Sequence, residues 1–280
     1  MSNKTNRVWL ITGSSSGFGR ALAQAVLVHG DFLIATARKP EELQDLIEQY
    51  PEKVKALRLD VTDVNEVNAS ISVAKEAFGR IDVLVNNAGY GLIGALEEVS
   101  DEQIQRNFDT NLFGAIHMMR AVLPIMRSQK SGHIINMSAI AGFSNELGFS
   151  IYGGAKFALE GVSEAVRGEV APLGIKVTIV EPGPFRTDFI GRSLDRAGQS
   201  MNEYEETVGK FLKFLEKIEG TQPGDPKKAA NAIVQVVESE NPPLRLTLGK
   251  YAYSKFRKKI EALTGELDAW EAVAANTDFE

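Results

Sequence analysis

The chain has 280 residues, of which 44% are hydrophobic and 24% are charged, a composition typical of a globular protein large enough for one or two α/β domains. Its formal net charge of −6 argues against a general affinity for nucleic acid, and no apolar run reaches the roughly 18 residues of a membrane span. Because the chain has no cysteine and only three scattered histidines, thiol chemistry is excluded, no metal site is predicted, and a cytoplasmic location is favoured.

Short apolar runs of strand length alternate with segments of helical periodicity along most of the chain. The predicted strands cover residues 8–12, 32–37, 54–59, 81–86, 133–137, 176–181 and 245–248. The predicted helices cover residues 17–28, 63–78, 100–127, 151–173 and 226–239, and two further helical stretches end the chain. Strands that are apolar throughout are typical of a parallel sheet covered on both faces. The pattern predicts an α/β fold, a single Rossmann-type doubly wound domain with a mostly parallel seven-stranded sheet.

The alternation is interrupted between about residues 188 and 224. This segment is polar and mixed, with one amphipathic helix near residues 204–218. Because it follows a loop at the carboxyl end of the sixth predicted strand, we expect it to pack over the mouth of the sheet as a small helical lid. The domain as a whole is expected to span residues 1–280, with the lid as an insertion within it.

Three glycines follow the first predicted strand, where the first helix begins. Gly13, Gly17 and Gly19 form a Thr-Gly-x-x-x-Gly-x-Gly pattern. A glycine-rich turn between strand and helix lets backbone N–H groups and the helix dipole meet a pyrophosphate. A tight turn that needs small residues would give the same pattern, but the strand–helix context favours a nucleotide site.

The residues after the second predicted strand bear on which nucleotide is bound. NAD-specific Rossmann domains usually carry an acidic residue there, whereas this chain has Arg38 and Lys39. Two cations could hold a 2′-phosphate, or they could simply be solvated in a loop. We therefore expect NADP(H) as the preferred cofactor, with NAD(H) as the alternative.

Tyr152 and Lys156 lie one helical turn apart on one face of the predicted helix 151–173. A nearby ammonium group favours the phenolate, so Lys156 is expected to lower the pKa of Tyr152 from its ordinary value of about 10. Such a tyrosine can act as a general acid or base near neutral pH. Amphipathic helices also carry this pair without any catalytic role, so its weight depends on the other motifs. Gly153 and Gly154 lie between the two residues, and each costs a helix about 1 kcal/mol relative to alanine.

The motifs follow one another in a characteristic order. They are Thr12-Gly-x-x-x-Gly-x-Gly19, Asn86-Asn-Ala-Gly89, Asn111, Ser138, Tyr152-x-x-x-Lys156 and Pro182-Gly183. In order and spacing this set resembles the short-chain dehydrogenases/reductases over residues 7–187. The C-terminal part resembles the single-domain subgroup of 17β-hydroxysteroid and retinol dehydrogenases.

The resemblance implies a catalytic set of Asn111, Ser138, Tyr152 and Lys156. Tyr152 would exchange a proton with the substrate oxygen, and Ser138 would donate a hydrogen bond to it. Lys156 would lower the pKa of Tyr152 and bind the nicotinamide ribose, and Asn111 would hold a water linked to Lys156. Each residue has an ordinary alternative, such as a helix cap or a turn former. The implied cofactor contacts are Gly13, Ser15, Ser16, Gly17, Phe18, Gly19, Arg38, Lys39, Asp60, Val61, Asn86, Asn87, Ala88, Gly89, Tyr152, Lys156, Pro182, Gly183, Phe185 and Thr187.

The expected substrate pocket lies over the nicotinamide, with walls from residues 90–93, residues 139–149, Phe185 and the lid. The residues expected to line it are Ser138, Ile140, Phe143, Leu147, Tyr152 and Phe185, together with Tyr90, Leu92, Ile93 and Phe149. Unless these apolar side chains merely pack in the core, the substrate is a ketone, an aldehyde, or a steroid- or lipid-like alcohol. The predicted function is that of an oxidoreductase that transfers a hydride between NADP(H) and a carbonyl or secondary alcohol. The alternatives are a catalytically silent NADP(H)-binding regulator or scaffold and, more weakly, an epimerase or dehydratase of the same fold. The resemblance also implies a homodimer or homotetramer.

Overall fold

The computed structural model describes residues 6–279. Seven strands form the central sheet: β1 Val8–Ile11, β2 Phe32–Ala37, β3 Val54–Arg58, β4 Val83–Asn86, β6 Gly132–Met137, β7 Ile175–Pro182 and β9 Arg245–Leu248. Two short strands, β5 Gly91–Ile93 and β8 Leu194–Arg196, pair in parallel as a separate small sheet. The α-helices are α1 Gly17–His29, α2 Gln44–Gln49, α3 Val64–Phe78, α4 Asp101–Phe108, α5 Gly114–Gln129, α6 Ser150–Val170, α7 Lys210–Ile218, α8 Pro226–Glu238 and α9 Lys250–Ala274.

The strand order of the central sheet is β3-β2-β1-β4-β6-β7-β9, and every neighbouring pair is parallel. The chain builds outward from β1 in one direction and then outward from β4 in the other. The order therefore reverses between β1 and β4, and open α/β sheets bind ligands at such a point, outside the carboxyl ends of the strands. The glycine loop follows β1 and residues 87–90 follow β4, so both lie at this reversal.

Alternate residues of the central strands supply two apolar layers, one on each face of the sheet. In one layer, Trp9 of β1 packs with Leu22 of α1. In the other layer, Leu10 of β1 packs with Met118 of α5. Both strand residues are fully buried. The layers on both faces explain why the strands are apolar throughout.

Several helix starts are specified by local side chains. Ser100 and Gln103 form the capping box that the sequence predicts at the start of α4, with each side chain bonded to the other residue's backbone N–H. Asp63 caps α3, and Asp225 caps α8 just before Pro226. These caps begin the three helices at, or within one residue of, the starts that the sequence predicts.

The predicted fold class is confirmed, and the seven predicted strands correspond to those of the sheet. The predicted helix 100–127 is divided by a π-helical turn, Asp109–Phe113, and the predicted helix near 204–218 begins as another, Glu205–Gly209. The two helical stretches expected at the end of the chain form one helix, α9. Helix α2 and strands β5 and β8 were not predicted from the sequence. No helix within residues 6–279 is both long and apolar enough to cross a membrane.

Candidate active site

The glycine loop between β1 and α1 is a cradle lined by backbone. Gly13 and Gly17 have φ values of 68° and 54°, a region that favours glycine. Gly19 is required for a different reason: the backbone of Gly13 approaches it so closely that a Cβ at position 19 would lie 2.1 Å from the carbonyl oxygen of Gly13. Ser16 is the N-cap residue of α1, yet its side chain makes no capping hydrogen bond. The backbone of this turn fits the pyrophosphate of a dinucleotide.

The loop after β4 braces the glycine loop. The backbone N–H groups of Asn87 and Ala88 both donate to the hydroxyl of Thr12 at 2.9 Å. The side-chain amide of Asn87 donates to the carbonyls of Thr12 and Gly13 at 2.9 and 3.0 Å. Asn86 differs from its neighbours, because its amide donates to Asn136 at 2.7 Å within the sheet interior. The bracing role belongs to Asn87.

The predicted catalytic asparagine lies in the π-helical turn between α4 and α5. Asn111 is buried, and its amide donates to the carbonyls of Tyr90 and Asn107 at 2.9 and 3.0 Å. A Cβ on Gly89 would lie 2.5 Å from Asn111 Oδ1 and 3.5 Å from Lys156 Nζ. The π-turn thus brings Asn111 and Lys156 to the same glycine, and π-turns inside α-helices are frequent at functional sites.

Tyr152 and Lys156 project from the first two turns of α6 and are both buried. Lys156 Nζ lies 5.8 Å from the centroid of the Tyr152 ring and donates to the carbonyl of Met137 at 2.8 Å. Ser138 follows Met137 directly, at the carboxyl end of β6. The structure therefore brings Ser138, Tyr152 and Lys156 together at one edge of the sheet.

The charge states at this edge are governed by burial. Burial raises the pKa of Tyr152 above its ordinary value of 10.0, which is opposite to the direction that the Lys156 spacing predicts. Burial also lowers the pKa of Lys156 to about 8, and the charge of Glu160 opposes that effect. At neutral pH the arrangement holds a neutral tyrosine beside a cationic lysine.

A buried carboxylate lies behind the serine. Ser138 Oγ donates to Glu160 Oε1 at 2.7 Å, and a Cβ on Gly142 would lie within 2.6 Å of both atoms. Arg245 Nε lies 3.4 Å from Glu160 Oε2 and 3.3 Å from Oε1 of Glu181, which is fully buried. This buried group was not predicted from the sequence. Glu160 lies four residues after Lys156, so the same helical spacing would have placed it on the catalytic face.

Apolar side chains surround the ring of Tyr152. The ring of Tyr152 lies 5.5 Å from that of Phe149 and 5.7 Å from that of Phe189. The cluster also contains Ile93, Ala141, Ile190, Leu194 and Leu215, with Ala139, Phe211, Leu212 and Ile218 packed against it. Most of these residues belong to the segment 188–224, which therefore packs over Tyr152.

The same segment is anchored on both sides of the site. Its strand β8 pairs with β5, and Gln103 donates to the carbonyl of Arg196 at 2.7 Å. On the other side, Arg192 pairs with Glu42 at 3.0 Å. A hydrogen bond with Ser15 of the glycine loop lowers the pKa of Glu42, and Arg192 adds to that effect. The lid segment therefore contacts both the substrate side and the nucleotide side.

The predicted cofactor residues after β2 and β3 differ in exposure. Arg38 and Lys39 are exposed. They lie beside the glycine loop, because the N–H of Ser14 in that loop donates to the carbonyl of Thr36, close before them in the chain, at 2.8 Å. Asp60 accepts two hydrogen bonds from Thr62 and so closes its own turn. The next residue, Val61, is buried, and its side chain packs on Gly114.

The loop after β7 contacts both the glycine loop and the end of β9. A Cβ on Gly17 would lie 3.8 Å from Thr187 Cβ, and the rings of Phe18 and Phe185 are 5.1 Å apart. The N–H of Gly183, after Pro182, donates to the carbonyl of Leu248 at 3.0 Å. Phe185 therefore packs toward the nucleotide side rather than in the cluster around Tyr152.

The other residues predicted to line the substrate pocket are spread out. Ile140 is buried beside Ser138, in a short 3-10 turn. The ring of Phe143 stacks on Phe256 of α9 at 3.8 Å. The side chain of Leu147 is 53% exposed, outside the cluster around Tyr152. Among residues 6–279 there is no group of histidine and acidic side chains that could hold a metal ion.

This fold and site can be compared with known proteins. Residues 7–197 match the family described as short chain dehydrogenase. The chain is 42% identical over 269 residues to oxidoreductase BOA17 of Botryotinia fuckeliana, covering 96% of this chain and 98% of that protein. It is 38% identical over 253 residues to the 3-ketodihydrosphingosine reductase of Bacteroides thetaiotaomicron, covering 90% and 91%. It is 36% identical over 255 residues to human retinol dehydrogenase 8, covering 85% and 80%.

Several solved structures have a fold similar to that of this chain. A short-chain dehydrogenase from Streptomyces avermitilis superposes with a TM-score of 0.91 at 42% identity, covering 97% of this chain and 100% of the other. A serine dehydrogenase complexed with NADP+ gives a TM-score of 0.75 at 27% identity, covering 86% and 94%. A Burkholderia phymatum relative in complex with NAD gives 0.81 at 23% identity, covering 94% and 97%. The chain belongs to the short-chain dehydrogenase family of oxidoreductases.

Proposed function

We propose that this protein is an NADP(H)-dependent oxidoreductase that interconverts a carbonyl and a secondary alcohol, with Tyr152 as the general acid and base. The observation that carries the proposal is the meeting of Ser138, Tyr152 and Lys156 at one edge of the sheet, next to Gly89 and Asn111. A protein that only bound a nucleotide would have no use for a buried proton donor at that place.

The chemistry follows from the charge states of the site. In reduction Tyr152 gives its proton to the carbonyl oxygen, and in oxidation it takes the proton of the alcohol. Because burial raises its pKa, Tyr152 is protonated and ready to donate before reduction begins, whereas oxidation starts from the phenolate. Lys156, with a pKa lowered to about 8, remains cationic at neutral pH and stabilises the phenolate left after transfer. Ser138 donates a hydrogen bond to the same substrate oxygen. The bound nicotinamide supplies or accepts the hydride.

The residues around the site fit a phosphorylated dinucleotide. The glycine loop and the uncapped start of α1 offer backbone donors for a pyrophosphate. Exposed Arg38 and Lys39 follow β2, and two cations after this strand support the choice of a 2′-phosphate, whereas the solved relatives include complexes with NADP+ and with NAD. Thr187 lies beside Gly17, and its proposed role is to contact the carboxamide of the nicotinamide.

The cluster around Tyr152 favours an apolar substrate. Phe149, Phe189 and Ile190 present hydrocarbon to the tyrosine rather than charge. Two relatives carry names that refer to substrates with long hydrocarbon parts, a ketodihydrosphingosine and a retinol. We infer that the substrate is a ketone, aldehyde or alcohol of steroid- or lipid-like character, converted in the reducing cytoplasm that a cysteine-free chain suits.

Loss of the Tyr152 hydroxyl tests the mechanism. Tyr152→Phe is expected to lower kcat with NADPH and a panel of apolar ketones and aldehydes by roughly a hundredfold or more, since the proton donor is lost. NADPH absorbance reports turnover, and NADPH fluorescence titration should show unchanged cofactor binding. Tyr253→Phe, which changes an exposed tyrosine of α9, should behave as wild type. Full activity of Tyr152→Phe would refute the assignment.

Removal of the Arg38 charge tests the cofactor. Arg38→Ala is expected to reduce the ratio of kcat/KM for NADPH to that for NADH by roughly tenfold or more, because a charge-assisted contact to the 2′-phosphate is lost. Arg127→Ala, at an exposed site near the end of α5, should leave the ratio unchanged. A wild-type enzyme that preferred NADH would contradict the NADP(H) assignment.

A further inference from the structure

Helix α9 leaves the body of the protein after its first turns. Those turns are well packed: Ala252 is buried against Gly183, and Phe256 stacks on Phe143. By contrast, every residue from 260 to 274 is exposed. These fifteen positions extend about 22 Å from the body at 1.5 Å per residue. Because all of these residues are exposed, this half of α9 has no packing partner within residues 6–279. A helix usually gains most of its stability from packing an apolar face.

The projecting half of α9 carries a continuous apolar stripe. Ile260, Leu263, Leu267 and Trp270 are 47%, 38%, 72% and 64% exposed. Their spacing alternates between three and four residues, which is the a/d pattern of a coiled-coil seam. Ala274 continues the seam. Contiguous exposed hydrocarbon of this kind marks an interaction surface.

The charges beside the stripe indicate what covers it. Arg257 and Lys259 flank its beginning, whereas Glu266 and Glu271 flank its end. A parallel second copy would bring Glu266 next to Glu271 of the partner subunit, which is a like-charge contact. An antiparallel second copy instead brings Arg257 next to Glu271 of the partner subunit, twice by symmetry.

The apolar layers agree with the antiparallel arrangement. Two helices that cross near Gly265 place Ile260 against Trp270 of the partner subunit and Leu263 against Leu267 of the partner subunit. Ile260 and Leu267 are the a positions of the seam, and Leu263 and Trp270 are its d positions. Each a position therefore meets a d position of the partner subunit. Both copies use the same patch, as a two-fold interface requires. Glu266 approaches its own copy near the axis, so the pairing is expected to depend on salt.

We propose that the α9 seam, formed by Ile260, Leu263, Leu267 and Trp270, is an antiparallel interface between two copies of this chain. The apolar layers supply most of the association free energy, because exposed ion pairs contribute little each. The role of Arg257 and Glu271 is to select the antiparallel orientation. The inference is independent of the proposed function, since it rests on α9 alone.

The seam is tested by placing a charge within it. Wild-type mass from light scattering is expected to be that of an oligomer, and Leu267→Glu is expected to halve it. Ala272→Glu adds the same charge on the opposite face of α9 and should leave the mass unchanged. Circular dichroism and melting temperature confirm that both variants are folded. A monomeric wild type, or an unchanged mass for Leu267→Glu, would overturn the proposal.

The orientation is tested by exchanging charges. Arg257→Glu and Glu271→Arg are each expected to weaken association roughly tenfold in sedimentation equilibrium, and the double variant should restore it. Failure of the double variant to recover would overturn the antiparallel arrangement. Vesicles of phosphatidylcholine with phosphatidylserine provide the competing outcome. If they take up the wild type but not Leu267→Glu, while the wild type is monomeric in solution, the seam contacts lipid and the proposal is wrong.

Discussion

The hydroxyl of Ser138 has one proton, and in this structure that proton is directed to Glu160 at 2.7 Å. A serine that donates to a carboxylate cannot also donate to a substrate oxygen. Burial raises the pKa of Glu160, against the opposing effects of the Ser138 hydrogen bond and the Arg245 charge. Once protonated, Glu160 can donate to Ser138 Oγ and leave the serine proton for the substrate. The protonation of Glu160 therefore sets the direction of the Ser138 hydrogen bond.

Substitution of Glu160 separates the donor role from the acceptor role. Glu160→Gln is expected to retain kcat and to lose less of it toward alkaline pH, because its amide donates at any pH, whereas the wild type loses its donor when Glu160 ionises. Glu160→Ala should lower kcat roughly tenfold with cofactor affinity unchanged, since Ser138 loses its positioning partner. The measurement is kcat against pH with NADPH and a ketone. Glu164→Gln, an exposed carboxylate one turn further along α6, serves as the control. Identical profiles for wild type and Glu160→Gln would exclude the role.

Single residues were predictable from the sequence where spacing and chemistry agreed. Tyr152, Lys156 and Ser138 have side chains suited to proton transfer, at spacings that a helix and a strand end bring together. Glu160 has the same spacing, but a glutamate within an amphipathic helix is usually solvent-exposed. In the fold its buried carboxylate is paired with Arg245, a residue 85 positions away in the chain. A contact at that distance along the chain has no local signature.

At the scale of elements, the two neighbouring glycines near the start of α6 differ in whether the structure requires a glycine there. A Cβ on Gly153 would lie 2.1 Å from Asn145 Oδ1. That side chain is held in place, since its amide donates to the carbonyl of Phe149 at 3.1 Å and its oxygen accepts the N–H of Glu146 at 2.9 Å. A Cβ on Gly154 would meet only Phe108 at an ordinary 3.8 Å. The start of α6 therefore requires glycine at position 153 and not at position 154.

Alanine at the two positions should change stability in opposite directions. Gly154→Ala is expected to raise the free energy of unfolding by up to about 1 kcal/mol, through helix propensity. Gly153→Ala should lower it by about 1–3 kcal/mol, because the added methyl group displaces Asn145. Urea denaturation measures both changes. In the Gly153→Ala background, Asn145→Gly should recover part of the loss. Equal effects of the two alanines would contradict the explanation.

The predictability of elements depends on their length and periodicity. The seven strands of the main sheet were predictable because buried parallel strands are apolar throughout. Strands β5 and β8 have three residues each, which is too short for any periodicity, and only their mutual pairing defines them. The π-turn at Asp109–Phe113 has five residues within a longer helical segment, which is too short to show a period of its own. The lid was predicted as an interruption of the pattern that forms one wall of the pocket, but the lid residues that contact Tyr152 were not predicted.

At the scale of the whole molecule, a buried acidic group joins α6 to the edge of the sheet. Glu160 of α6 and Glu181 of β7 share Arg245 of β9, and Thr247 donates to Glu181 at 2.6 Å. Burial raises the pKa of Glu181 to about 7, Thr247 opposes this, and the charge of Glu160 adds to it. Because the pKa of each carboxyl group is raised and the two share one arginine, the pair is expected to hold a proton up to a higher pH than the unfolded chain does. The folded state therefore binds a proton that the unfolded chain releases.

This proton makes global stability depend on pH in a defined direction. A carboxyl group whose pKa is higher in the folded state contributes stability that is complete below its unfolded pKa of about 4.5 and is lost as pH rises through about 7. The free energy of unfolding of the wild type should therefore fall between about pH 5 and pH 8, with Glu181 contributing at most about 3 kcal/mol. Glu181→Gln stays neutral throughout and should be flatter over this range and more stable than wild type at about pH 8. Urea denaturation at several pH values measures the difference, and Glu164→Gln, an exposed carboxylate that also pairs with Arg245, should retain the wild-type slope. A Glu181→Gln variant that lost stability with pH as steeply as the wild type would show that Glu181 is ionised in the folded protein.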